Sequence, residues 1–414
     1  MRMPYSLMLL LPLCSYVNAE IVKIKFLEHS FTPNEREKRD VTSSMPDKMA
    51  FHLETDNGDT ILNLERIATI PMYTFTENGL EKMNIASRCV AVYKDELRKS
   101  VIKISRQQDH LHMFHLEGEI EIDDKIHQLS PYNSLENEDG MDVFHVLQEK
   151  EEEIPVTDYF KDFRRIIKHK VSKVDSNNSR PKRSLEEHIY TVELCYIADH
   201  QDYQKFLSFN NNDVDNTTLD INIYYSFVTE QIRLRYESIY EQDPSLVINI
   251  VISGLILLKD KASSKFMDDE VYDTNQLDYN KGLDVAVEWL YINEDKLPPS
   301  DHYMFFTAYD LSDAGQSDSL GLANFGCMCY RDEEGYYLSA SIIENAFDGN
   351  VGATAAHELG HSLDADHDSD VGCNDNDLYL MSARSIHPWN VSYASRPWKL
   401  SPCSVQSIGT FLRK

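Results

Sequence analysis

The chain has 414 residues, 42% hydrophobic and 10% aromatic, enough for two or three domains with apolar cores and too much for a disordered protein. Its 69 acidic and 40 basic residues give a net charge of -29, most of it after residue 183, where 38 acidic residues stand against 14 basic ones. So acidic a domain repels nucleic acid and anionic lipid, which excludes both as expected partners, and the charge reads first as a solvated surface.

The first residues, MRMPYSLMLLLPLCSYVNAE, join a basic start at Arg2 to an apolar run over 7–14 and small residues before Glu20. They read as a signal peptide, 1–19, cut after Ala19 and too short to span a bilayer. No later segment reaches about 18 uncharged apolar residues. LVINIVISGLILL (246–258) comes nearest and suits a buried strand. The expectation is a secreted, extracellular monomer with no membrane partner.

Period-two stretches follow: IVKIKFLEH, KMAFHLET, DTILNLERI, SVIKISRQ and HLHMFHLEGEIEI. Asp56-Asn57-Gly58-Asp59 lies between two of them as a hairpin turn. Residues 20–183 therefore read as a β-rich pro-domain, with an acidic helical tail near VLQEKEEEI (146–154). It ends in DSNNSRPKRSLEEH (175–188), a polar stretch carrying Arg180, Lys182 and Arg183. After a signal peptide, such a stretch presents extended dibasic sequence to a processing protease, and the cut is expected after Arg183. In a cytosolic protein it would be a solvated charge run.

Beyond Arg183 strands and helices alternate. HIYTVELCYIAD reads as a strand, TTLDINIYYSFVTEQIRLRYESIY as a helix and SLVINIVISGLIL as a buried strand. NKGLDVAVEWLYIN is the next helix, then HYMFFTAYD, LGLANFGCMC and GYYLSASII are strands. That order implies a layered α/β core with a mixed sheet in a domain spanning 184–414.

GATAAHELGHSL (352–363) is a good helix, rich in alanine and free of proline. His357 and His361 are four apart, so both imidazoles leave one face and can grip one metal ion. Glu358, beside the first of them, can hydrogen-bond a water on that ion without ligating it. His367 is the candidate third ligand, provided the helix ends near Leu363 and the chain reverses. Such a reversal usually uses a left-handed residue, most often glycine. Asp364 stands there instead, and Asp tolerates that region at a penalty on the order of 1 kcal/mol. Three neutral imidazoles select zinc over calcium or magnesium, and three protein ligands leave the fourth position for water. Glu358 would then be the general base.

HELGHSLDADHD resembles the reprolysin (adamalysin) group of metzincins, which includes snake-venom, ADAM and tick salivary metalloproteases, the tick proteins being nearest. YTVELCYIADH is similar to the group's opening strand, LGLANFGCMC to its substrate-binding edge strand, and LSPCSVQSIGTFL to its closing helix. LYLMSARS is similar to the methionine turn below the zinc, with Met381 in the invariant place. Asp368, directly after the third histidine, matches the group's hallmark and would anchor the turn.

The resemblance implies a mixed, mostly parallel sheet with one antiparallel edge strand plus helices, and a cleft between a larger upper and a smaller lower subdomain. A peptide would lie antiparallel along Gly321, Leu322, Ala323 and Asn324. Arg384, Ile386 and Trp389 are candidates for the wall of a specificity pocket. Extracellular matrix or clotting proteins would be the substrates.

The resemblance also pairs Cys373 with Cys403. It places the partner of Cys329 beyond Lys414, so either the chain lacks its last segment or Cys329 uses Cys327 or Cys195. Cys89 is the one candidate for a thiolate that keeps the zinc latent, although it lies far from the pro-segment's end. Glu193 and Asp301 match a family calcium site. Asn177, Asn216 and Asn390 begin Asn-x-Ser/Thr triplets and are candidate glycan positions. Two other functions compete: a catalytically silent relative that binds host proteins, and a zinc amidase acting on small molecules. An intact Glu358 opposes the first and an open edge strand the second.

Overall fold

A computed structural model describes residues 19–27, 45–55, 58–83, 90–95, 97–98, 100–106, 114–122, 125–132, 143–149, 188–312, 319–347, 350–383 and 396–414. The signal peptide before Ala19, Cys89, Asn177, the stretch with Arg180, Lys182 and Arg183, the candidate wall Arg384, Ile386 and Trp389, and Asn390 lie outside these residues.

The first half is a closed eight-stranded barrel with a hairpin beside it. Its strands are β1 Ala19–Phe26, β2 Lys48–Thr55, β3 Gly58–Arg66, β4 Met72–Thr76, β5 Gly79–Lys82, β6 Val90–Asp95, β7 Ser100–Arg106, β8 Phe114–Ile122, β9 Lys125–Pro131 and β10 Val143–Glu149. Alternation closes the barrel in the order β1-β10-β9-β8-β7-β6-β3-β2. In β3, Thr60, Leu62 and Leu64 are buried while Ile61, Asn63 and Glu65 face out. Val22, Phe51, Leu53, Ile102, Ile104 and Leu116 meet the inward residues of β3 in a core of their own.

Of the acidic tail expected as a helix, residues 146–149 are instead the end of β10, which pairs with β1 and with β9, and residues 150–154 lie outside the described residues. Its His145 and Leu147 are buried while Val146 and Gln148 are half-buried, a period of two. The barrel needs this strand to close, and an edge demanding a partner outweighs the helix propensity of the glutamates beyond it.

The second half begins at β11 His188–Ala198, followed by α1 His200–Phe209, α2 Val214–Glu237, the single turn α3 Ile239–Gln242 and β12 Leu246–Leu257. Next come α4 Lys265–Asp268, β13 Gln276–Asp278, α5 Tyr279–Asn293, β14 His302–Thr307 and β15 Asp310–Ser312. β16 Gly321–Ala323, β17 Ala340–Glu344, α6 Val351–Ser362 and α7 Pro402–Leu412 complete it. The seven-stranded sheet runs β16-β17-β14-β11-β12-β4-β5. β17, β14, β11, β12 and β4 are parallel, and β16 is antiparallel at one end.

Successive residues of β11 serve opposite faces of this sheet. Leu194, Tyr196 and Ala198 join the core under α2 and α6, while Cys195 and Ile197 join the core under α5. α2 starts where Asp213 accepts hydrogen bonds from the N–H groups of Asp215 and Asn216.

Two expectations about the sheet need correction. It has two antiparallel ends rather than one, because β5 follows β4 as a hairpin. That hairpin also comes from the segment read as a separate pro-domain. MYTFT carries the alternation of a strand, but it is five residues long and follows Pro71, so its signal is short. In addition, the edge strand covers only Gly321–Ala323, with Asn324 just past it, and the strand read from GYYLSASII begins only at Ala340.

Candidate active site

α6 carries His357 and His361 one turn apart, and its inner face packs on α2. Tyr236 donates its hydroxyl to the Ala356 carbonyl at 3.1 Å. A Cβ on Gly352 would lie 2.0 Å from Gln231 Oε1, so only glycine permits this approach.

The helix ends at Leu363 in a Schellman turn centred on Asp364, whose φ is 71°. The Ala365 N–H donates to Gly360 O at 3.0 Å and the Asp364 N–H to His361 O at 3.0 Å. The edge-strand loop seals the same end: Gly326 N–H reaches His361 O at 2.8 Å and Met328 N–H reaches Ser362 O at 3.0 Å. The reversal carries His367 back over the helix.

The ligand atoms of His357, His361 and His367 all lie within 4.8 Å of one another, the only group of at least three His, Cys, Asp or Glu with that property among the described residues. All three rings are buried. His357 Nδ1 sits 2.6 Å from Leu380 O and His361 Nδ1 sits 2.8 Å from Ala365 O. A carbonyl can only accept, so each Nδ1 carries the proton and each Nε2 presents a lone pair. The two Nε2 atoms are 3.1 Å apart. Facing lone pairs at that distance repel unless a cation lies between them, so the donor set fits a metal, and imidazole fits zinc.

The carbonyl that holds His357 belongs to the methionine turn. Met381 is fully buried, and its Sδ would lie 2.6 Å from a Cβ on Gly360, so turn and helix touch without a side chain between them. Asp368 ties this turn to α7. Its N–H donates to Met381 O at 2.9 Å, and its Oδ1 accepts from the hydroxyls of Ser401, the N-cap of α7, and Ser404. Burial raises the Asp368 pKa, and the two serines oppose that shift. A Cys373–Cys403 disulfide joins the same two segments.

Glu358 is 1% exposed and lies against β16. A Cβ on Gly321 would fall 2.6 Å from its Oε1. Gly321 is thus the gap through which the edge strand approaches this carboxylate. β16 ends the sheet, and among the described residues no strand pairs with its outer edge.

Other sequence candidates land elsewhere. Glu193 and Asp301 are neighbours, exchanging Glu193 N–H to Asp301 Oδ2 at 2.9 Å and Asp301 N–H to Glu193 O at 2.8 Å, but they gather no third ligand among the described residues. Cys329 bonds to neither Cys327 nor Cys195: it is exposed, and its thiol donates to Asp301 Oδ1 at 3.3 Å. Cys195 and Cys327 are buried in the core under α5, which keeps them from it. Asn216 is exposed on the first turn of α2, its amide bonded to Asp213. Sequence reasoning missed Leu380 and Ala365, which act through backbone carbonyls, and Ser401 and Ser404. The latter pair had one signal, a Ser-Pro-x-Ser start to the last helix.

Residues 232–368 match the Reprolysin-like metallo-peptidase family M12B. Among curated proteins, the disintegrin and metalloproteinase with thrombospondin motifs gon-1 of Caenorhabditis elegans is 26% identical over 251 residues, covering 58% of this chain and 10% of that protein. Venom metalloproteinase 2 of Eulophus pennicornis is 34% identical over 130 residues, 30% of each chain. The chain thus spans less than a third of the length of either relative. Among solved structures, metalloproteinase-II from Bacteroides fragilis aligns over 91% of this chain and 95% of that one, with 11% identity and a TM-score of 0.41.

Proposed function

We propose that the chain, which is similar over residues 232–368 to the Reprolysin-like metallo-peptidase family M12B, is a secreted zinc endopeptidase made as a pro-form and released by a cut after Arg183. Its substrates are extracellular proteins, of matrix or clotting type by the resemblance. The observation that carries this reading is the convergence of His357, His361 and His367, the first two oriented by carbonyl acceptors, with Glu358 beside them and an open edge strand in front.

Zinc bound there supplies Lewis-acid polarisation of a scissile carbonyl and makes water acidic enough to attack near neutral pH. Glu358 accepts the proton of the attacking water and returns it to the leaving amine. Gly321, Leu322 and Ala323 offer their outer backbone edge to an extended peptide, which adds as one more antiparallel strand and aligns its carbonyl with the trio. Asp364 keeps His367 in place through the turn, while Met381 and Asp368 fix the carbonyl floor under His357.

The test uses the full chain, treated with a dibasic-specific processing protease and loaded with zinc, with casein or fibrinogen as substrate. Glu358→Ala should abolish cleavage while zinc is still bound, and a chelator should abolish both. Cleavage that survives both treatments would refute this mechanism, and a wild type that binds zinc without cutting would leave only a binding role.

A further inference from the structure

The hairpin β4–β5 belongs by sequence to the segment before Arg183 and by structure to the sheet after it. β4 runs parallel to β12 with Met72 opposite Leu255, Tyr73 opposite Ile256 and Thr74 opposite Leu257. The Leu255 N–H donates to Pro71 O at 2.8 Å. The strand feeds both faces of the sheet. Ile70 and Met72 are buried in the core beneath α2 and α6, while Phe75 is buried in the core beneath α5. There the Phe75 ring lies 5.0 Å from the Trp289 ring, with the Lys296 ammonium 5.6 Å from its centroid.

The rest of the sheet is shaped to receive it. Gly254 leaves room for Tyr73, whose ring would lie 3.1 Å from a Cβ at that position. Asn222, buried on α2, donates its amide to Ile70 O at 2.9 Å. The barrel adds a patch of Ile67, Val92 and Val101 against Ile223, and sets Lys94 3.8 Å from the buried Glu230. Met72 is buried on one face and Phe75 on the other, with Tyr73, Thr74 and Thr76 half-buried, so the strand is held from both sides of the sheet.

We propose that the segment before Arg183 remains bound after processing, as a second chain whose hairpin completes the catalytic domain's sheet. The inference rests on the activation cut proposed above and adds what the cut leaves behind. It does not conflict with an active enzyme. β4 is five strand spacings from β16, about 24 Å at ~4.8 Å each, so the hairpin does not occupy the substrate edge.

Two preparations of the full chain test this. One is the natural chain treated with a dibasic-specific processing protease, and the other has residues 180–183 replaced by the recognition sequence of a site-specific protease. After cutting, size-exclusion chromatography at low micromolar concentration should keep both fragments in one peak. Hydrogen exchange of the Leu255 and Leu257 amides should stay within about 2-fold of the uncut chain. Asn222→Ala should shorten the lifetime of the complex several-fold, and Phe75→Ser should separate the fragments. Fragments that separate in the unsubstituted nicked chain overturn the proposal, as does a rise of about 100-fold in exchange at Leu255 within an intact complex. If only the natural sequence resists cutting, the activation reading fails while the engineered chain still decides retention.

Discussion

Gly321→Ala is the sharpest probe of the site, because it adds one methyl group between the edge strand and Glu358. The new Cβ would lie 2.6 Å from Glu358 Oε1 and 2.9 Å from its Cδ and Cγ, all below the 3.0 Å that side-chain carbons respect. The strand has little freedom to yield. Gly321 pairs with Ile343, and its carbonyl accepts the Ser319 hydroxyl at 2.8 Å. The carboxylate must retreat by roughly 0.5–1 Å, a misplacement that costs on the order of 100-fold in rate. That corresponds to about 2.7 kcal/mol in the barrier. Gly321 is not in the left-handed region, so its backbone accepts alanine, but crowding the buried Glu358 costs stability on the order of 1–3 kcal/mol. The assay is hydrolysis of a quenched fluorescent peptide, beside zinc content and a melting curve. The expected result is kcat/KM down about 100-fold, with zinc stoichiometry unchanged and Tm lowered by a few degrees. Activity within about 3-fold of wild type would show that Glu358 is not the group positioned for proton transfer.

Other substitutions separate the parts of the site. Gly360→Ala would push a Cβ to 2.6 Å from Met381 Sδ and displace the turn whose Leu380 carbonyl orients His357, so zinc affinity by competitive chelation should fall about 10- to 100-fold. Asp364→Gly relieves a left-handed aspartate whose ion pair with Lys414, 3.6 Å away on the surface, adds little, so Tm should rise by a few degrees and activity should hold. A fall in Tm would mean the Asp364 side chain stabilises the turn. Burial pushes the Asp199 carboxyl up to about 7 and, with the Asp199 charge adding to it, Asp202 up to about 8. The fold keeps protons that the unfolded chain releases near pH 4, so this contribution is full below about pH 4 and is lost as pH rises through 7 to 8. Asp199→Asn keeps an acceptor for the Asp202 N–H and removes one buried charge, and Tm measured from pH 6 to 9 should decline less steeply than in wild type.

How much of this was legible depends on where the information sits. His357, Glu358 and His361 could be read because helix geometry converts a spacing of four into a shared face. Asp364 could be read as a left-handed residue for the same local reason, and it has φ 71°. The groups that orient the histidines could not, because Leu380 and Ala365 act through carbonyls that every residue possesses. Strand β10 was misread since its acidic neighbours favour helix locally, whereas the need to close a barrel is a demand made by β1 and β9, far away in sequence.

The hairpin illustrates a deeper limit. Composition places a boundary where the chain becomes polar, basic and open to cleavage, and that reading concerns covalent connection alone. Sheet membership is decided by which unpaired edge is available and which apolar side chains fit on both sides of it. The edge of β12 offers Gly254, and α5 a seat beside Trp289; Tyr73 and Phe75 fill them from roughly 180 and 210 residues upstream. A cut at Arg183 would divide the chain into two pieces and leave every one of these contacts in place, because none of them involves the peptide bond that is broken.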